Sequence, residues 1–202
     1  IVRGADGNLW FTEFNNNAIG RITPAGVITE FSLAALQLAS GPSGIASDPG
    51  NNRIYFTEKN AGRIGSISPL AGSDAAILAS LTQSAVVPSG SAASVAGITA
   101  GPDGNLWFAE QVAARVGNIN PTLTTINEFS AGITAGSGPL NIDSGADGAL
   151  WFTEFTNNAL GRITTTGTVT EFSLASLGAS TGPRDIVNDT ANNLLYFTLA
   201  NT

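Results

Sequence analysis

The chain has no cysteine, no histidine and no methionine among its 202 residues. Without cysteine there is neither a disulfide nor a thiolate, which excludes thiol catalysis and sulfur-ligated metals. Without histidine, the commonest general base near neutral pH and the commonest metal ligand are both missing. Charge is scarce too, at 11% of residues against roughly a quarter in ordinary soluble domains. The 8 basic residues stand singly in a chain of net charge −7. That excludes the clustered Lys and Arg on which nucleic acid or an anionic membrane surface depends. No apolar run approaches the ~18–20 residues that cross a bilayer as a helix. The sequence opens on Ile1 in strand-like residues, as expected of a processed or trimmed N-terminus. Sparse charge, a neutral polar surface and absent cysteine together point to an exported protein, secreted, extracellular or periplasmic.

What is present is a repeat. Trp10-Phe11-Thr12-Glu13 returns as Tyr55-Phe56-Thr57-Glu58, Trp107-Phe108-Ala109-Glu110, Trp151-Phe152-Thr153-Glu154 and Tyr196-Phe197-Thr198-Leu199. The intervals are 45, 52, 44 and 45 residues. Downstream of each Glu stands a glycine (Gly20, Gly65, Gly117, Gly161), followed two residues later by isoleucine (Ile22, Ile67, Ile119, Ile163). Ahead of each aromatic pair lies a turn: Asp6-Gly7, Asp48-Pro49-Gly50, Asp103-Gly104 or Asp147-Gly148. Asp-Gly and Asn-rich turns supply the positive φ that tight hairpins need. Short runs of Ile, Val, Phe and Thr between them read as strands, with no competing helical period. Four strands per unit at this spacing predict a β-propeller.

A longer period overlies the shorter one. Residues 4–58 shifted by 141 fall on 145–199 without a gap, and about three in five positions match. Three blades were thus duplicated as a block. The predicted blades are 1–40, 41–88, 94–134 and 138–178, with a partial fifth at 182–202. The Ser/Ala/Gly-rich stretch 82–95 reads as an extended loop between the second and third. Four and a half blades fall short of a ring, for which six or seven are expected, so further blades or a neighbouring copy are expected to complete it.

The segments Gly101-Pro102-Asp103-Gly104-Asn105-Leu106-Trp107-Phe108-Ala109-Glu110 and Ala18-Ile19-Gly20-Arg21-Ile22-Thr23-Pro24-Ala25-Gly26 resemble the blade motifs of the virginiamycin B (streptogramin) lyase family. The resemblance runs over essentially the whole chain, and NHL-type propellers are its wider relatives. It implies a lyase that opens a cyclic depsipeptide by elimination, using histidine, glutamate and Mg²⁺ near the central channel. The family's histidines stand in Gly-Pro-His-Gly loops entering the blades. The matching positions here are Ser43 (in Gly41-Pro42-Ser43-Gly44), Ala96, Leu140 and Arg184. None of these can take a proton as imidazole does.

The candidate ligand-binding residues are therefore Glu13, Glu58, Glu110, Glu154 and Arg184. A propeller gathers equivalent positions around its axis, where a ring of carboxylates could hold Mg²⁺ or Ca²⁺; the other reading has each glutamate satisfying donors within its own blade. Arg184 is the one basic residue at a histidine position. Arg21 and Arg162 recur in alternate blades but give way to Ser66 and Asn118, which suggests a solvated face. No catalytic residue and no cofactor is expected, and Mg²⁺ or Ca²⁺ rests on the resemblance only. The chain reads as a non-catalytic binding or scaffold protein with a protein or small-molecule ligand at the propeller face. Two alternatives stay open: an extracellular structural protein that self-associates through its terminal strands, and a lyase whose catalytic blades lie outside these residues.

Overall fold

A computed structural model describes every residue except 37, 49, 179–180 and 201–202. The fold is all-β, with four four-stranded antiparallel sheets and a two-stranded fifth. The first sheet runs β1 (Val2–Arg3), β2 (Leu9–Glu13), β3 (Ala18–Ile22) and β4 (Ile28–Ser32). The second runs β5 (Pro42–Asp48), β6 (Arg53–Glu58), β7 (Arg63–Ile67) and β8 (Thr82–Gln83). The third comprises β9 (Val95–Ala100), β10 (Leu106–Glu110), β11 (Arg115–Ile119) and β12 (Ile126–Phe129). The fourth comprises β13 (Pro139–Ser144), β14 (Leu150–Glu154), β15 (Ala159–Ile163) and β16 (Val169–Ser173), and β17 (Pro183–Asp189) pairs with β18 (Leu194–Leu199). In every sheet the strands lie in chain order, as a propeller blade requires.

The repeated residues explain why each unit folds alike. The second-strand phenylalanine lies opposite the third-strand glycine: Phe11 to Gly20, Phe56 to Gly65, Phe108 to Gly117 and Phe152 to Gly161. A Cβ at Gly117 would come within 2.3 Å of the Phe108 ring, so only glycine leaves room for it. On the opposite face, Trp10, Trp107 and Trp151 stack on Phe31, Phe129 and Phe172 at 5.2–5.4 Å. Each indole N–H donates to the turn aspartate, Asp6, Asp103 or Asp147. Tyr55 instead accepts from Asn51 and donates to the Pro121 carbonyl.

Each aromatic face packs on the next blade. Trp10 meets Ile54, Ile67 and Ile77, Tyr55 meets Leu106, Phe108 and Ile119, and Trp107 meets Leu150, Phe152 and Ile163. Fully burying such a side chain is worth about 1.5–3 kcal/mol. The apolar core is therefore a series of slabs between blades. The innermost strands β5, β9, β13 and β17 stand side by side around the axis.

Three sequence expectations are corrected. The stretch 82–95 is not a plain loop: it contains β8, a 3₁₀ turn at Ser91–Ala93 and the start of β9. Ahead of β8 lies an unexpected helix, α1 (Asp74–Ala79), whose N-terminus Ser73 caps through the Ala76 N–H. Arg21 is not on a solvated face. It lies over Trp10 and Phe31 and pairs with Asp74 at 2.9 Å, while Arg162 pairs with Asp147 at 2.7 Å. Both arginines stand directly across from a tryptophan, and their partial burial follows from that register. Of the Asp48–Gly50 turn, the Asp48 carboxylate accepts from the Gly50 N–H, and residue 49 lies outside the described residues.

Candidate functional site at the propeller axis

A cavity of about 830 Å³ opens along the axis, walled by the innermost strands. Each of these strands carries an irregularity near its first residues, between Pro42 and Ile45 on β5, Val95 and Ile98 on β9, Pro139 and Ile142 on β13, and Pro183 and Ile186 on β17. A bulge bends a strand and re-aims the side chain at the extra residue. Ser43, Ala96, Leu140 and Arg184 occupy those bulges, and all four line the cavity.

The threonines of the repeat hold this geometry, a role not visible in the sequence. Thr12 donates to the Ser43 carbonyl at 2.7 Å, Thr57 to that of Ala96 at 2.6 Å and Thr153 to that of Arg184 at 2.8 Å. Thr57 and Thr153 also accept from the Gly44 and Asn141 N–H groups of their own blades. Thr57 and Thr153 thus each tie one bulge to the next, and Thr12 ties the first blade to the bulge of β5. At the corresponding position the third blade has Ala109.

Arg184 is the exposed cation at this end of the cavity, its guanidinium 5.0 Å from the Phe155 ring centroid. Among the described residues it forms no ion pair. Beside it Asp185 accepts from Asn141 and from the Ile186 N–H. Further along the wall, Asp143 accepts from Thr99 and from the Asn188 N–H, linking three innermost strands. The chain thus presents one stacked guanidinium, amide and carboxylate groups, and the apolar Leu140.

The glutamates are elsewhere. Glu58, Glu110 and Glu154 are fully buried between blades, and Glu13 is half-buried and accepts from Asn16. None of the four lines the cavity, so among the described residues the glutamates do not form an axial ring of carboxylates. Nor do they chiefly satisfy backbone donors. Glu110 contacts Ser89 and Glu128, and Glu154 accepts from Asn157 and contacts Glu171. Burial pushes Glu58 above the usual carboxylate range, the nearby Ser40 hydroxyl and Arg63 opposing it. Burial pushes Glu110 and Glu154 up to about 7, with Glu128 and Glu171 adding to the rise.

This arrangement does not fit the divalent cation that the family resemblance implies. Mg²⁺ and Ca²⁺ need several converging oxygen ligands. The repeat glutamates are turned away from the cavity, and among the described residues no three carboxylates converge.

Residues 74–202 match the model of the virginiamycin B lyase family. A virginiamycin B lyase from Staphylococcus aureus is 37% identical, with 98% of this chain aligned to 61% of that one at a TM-score of 0.84. The chain belongs to the virginiamycin B lyase family. A catalytically inactive histidine-to-alanine form of the S. aureus lyase, with quinupristin, matches to the same extent. A streptogramin B lyase is 30% identical over 100% of this chain and 68% of its own, with a TM-score of 0.81. No curated protein matches. The chain thus spans about three fifths of the length of the S. aureus lyase.

Proposed function

We propose that this stretch of the virginiamycin B lyase family is a ligand-binding propeller that does not carry out histidine-dependent elimination. On this reading it works outside the cell and holds a small-molecule or protein ligand at the bulged end of its axial cavity. One observation carries the reading. The four positions where the family resemblance places histidine are Ser43, Ala96, Leu140 and Arg184, and all four line the cavity. An elimination begins with removal of a proton, and a positioned base contributes ~10²–10⁴-fold to such a step. A serine hydroxyl, two apolar side chains and a permanently charged guanidinium offer no such base.

Binding is a separate matter. Arg184, stacked on Phe155 and not ion-paired among the described residues, directs planar donors suited to carbonyl or carboxylate oxygens. The S. aureus lyase supports this separation, since its inactive histidine-to-alanine form is known with quinupristin. Quinupristin is therefore the probe. Calorimetry is expected to register binding that weakens about tenfold or more in Arg184→Ala, the cost of one charge-assisted hydrogen bond. Mass spectrometry of the same mixture is expected to find no ring-opened product. Ring opening that vanishes in Glu110→Gln would overturn the reading and make that glutamate the base.

A further inference from the structure

Ser89 lies in the connection 84–94 that joins the second blade to the third. Its hydroxyl oxygen is 2.5 Å from Glu110 Oε2 and 2.6 Å from Glu128 Oε1, and its N–H donates to the same Glu128 oxygen at 2.8 Å. A hydroxyl has one hydrogen and can donate to only one of two carboxylates. The other contact is a clash of lone pairs unless one of the carboxyl groups brings a hydrogen of its own. Glu128 also accepts from Arg115 at 3.3 Å, which favours its charged form. The hydrogen therefore belongs on Glu110, whose Oε1 is buried without a donor.

The fourth blade repeats the arrangement with different partners. Glu171 accepts from the Thr134 N–H at 2.6 Å and from its hydroxyl at 2.7 Å, so its charge is satisfied. Glu154 contacts the Glu171 carboxyl and faces the Ser137 hydroxyl, and among the described residues its buried Oε1 accepts no hydrogen bond of normal geometry. Thr134 again lies in the connection between two blades, at 130–138. In both blades the third-strand glycine stands opposite the acid of the fourth strand, Gly117 to Glu128 and Gly161 to Glu171. In the second blade that place, opposite Gly65, belongs to Gln83, which cannot ionise. In the first blade Glu30 is exposed and Glu13 half-buried.

We propose that Glu110–Glu128 and Glu154–Glu171 are proton-sharing pairs that clip the connections 84–94 and 130–138 onto their blades, so that the blade stack loosens as the shared protons are lost. The charged groups facing Glu110 are Glu128 on β12 and Arg115 on β11, while across the blade boundary Lys59 binds the adjacent Gln111 amide. Glu154 faces Glu171 on β16, and no cation pairs with either among the described residues. The direction is set by linkage. Both second-strand carboxyls are raised from 4.5 to about 7 in the folded chain. Their contribution to stability is complete below the unfolded value and is lost as pH rises through about 7.

The test is thermal denaturation of the 202-residue chain from about pH 5 to about pH 8, beside Glu110→Gln, Glu154→Gln and the double variant. Glutamine stays neutral and keeps a donor for the partner carboxylate. The wild-type midpoint is expected to fall with pH, and the double variant to lose most of that slope while matching wild type at the acid end. Equal slopes in the two proteins would overturn the proposal. So would recovery of the wild-type midpoint at high pH on adding Mg²⁺ or Ca²⁺, since the pair would then hold a cation. If a variant fails to fold, the wild type still decides by infrared spectroscopy. A band from un-ionised carboxyl groups should persist well above the range of an exposed glutamate, and its absence would refute the shared proton.

Discussion

The smallest parts of the repeat carry the sharpest consequences. Trp107 is fully buried, and its one polar atom donates to Asp103 at 2.9 Å. Asp103→Ala leaves that N–H without an acceptor and is expected to cost about 1–3 kcal/mol, read as a shift in the urea midpoint. Gly117→Ala forces a methyl group into the Phe108 ring and is expected to cost a similar 1–3 kcal/mol through overpacking. Gly104→Ala is the contrast. Nothing lies within 4 Å of that Cβ, and its φ of +79° makes the cost one of backbone strain alone. Thr57→Val removes the bond to the Ala96 carbonyl and the acceptor for the Gly44 N–H. Because that threonine joins two bulges at the cavity, its loss is expected to weaken ligand binding as well as stability.

At the scale of elements, the second blade departs most from its neighbours. Its fourth strand is the two residues Thr82–Gln83, and the six-residue helix α1 occupies the preceding turn. A single-turn helix has little stability of its own, so tertiary contacts must hold it. Ile77 enters the core beside Trp10, and Asp74 pairs with Arg21 of the first blade. Ser73→Ala removes the cap and is expected to cost about 0.5–2 kcal/mol, measurable by urea denaturation. Asp74→Asn breaks only a pair whose carboxylate is 57% exposed, and is expected to cost less than about 1 kcal/mol. The reverse ranking would mean that Arg21, not the cap, holds the helix.

Across the whole molecule, two faces stand out by comparison with their own repeats. Leu9 is 43% exposed, whereas Ile54, Leu106 and Leu150 at the same position are fully buried. Tyr196 is 54% exposed, whereas Trp10, Tyr55 and Trp107 are fully buried. These are the two faces that successive blades bury against each other, so the Tyr196 face and the Leu9 face are complementary. The 202-residue chain is expected to associate head-to-tail, and such heterologous contacts build open chains unless the rotation closes. Sedimentation velocity at several concentrations checks this. A monomer independent of concentration would show that the faces tolerate water.

The sequence alone determined the architecture, because the repeat is dictated by local chemistry. Asp-Gly turns, a phenylalanine that needs a glycine across from it, and a Trp-Phe-Thr-Glu strand follow one another at fixed spacing, and the shift of 141 residues aligns even the strand registers of the first and fourth blades. It also marked Ser43, Ala96, Leu140 and Arg184 as positions without a base. What it could not determine is where equivalent side chains point once blades are stacked. The glutamates recur as regularly as the residues of the cavity wall, yet lie between blades while the bulges turn Ser43, Leu140 and Arg184 to the axis. Their partners Glu128 and Glu171 precede the recurring fourth-strand phenylalanine, and Ser89 and Thr134 lie in connections; nothing in the spacing ties any of them to Glu110 or Glu154. The half-buried arginines, the helix α1 and the paired carboxyls were hidden because each depends on tertiary contacts. The helix depends on the stacking of the second blade on the first, whereas the arginines and the paired carboxyls depend mainly on which strands lie side by side within one blade.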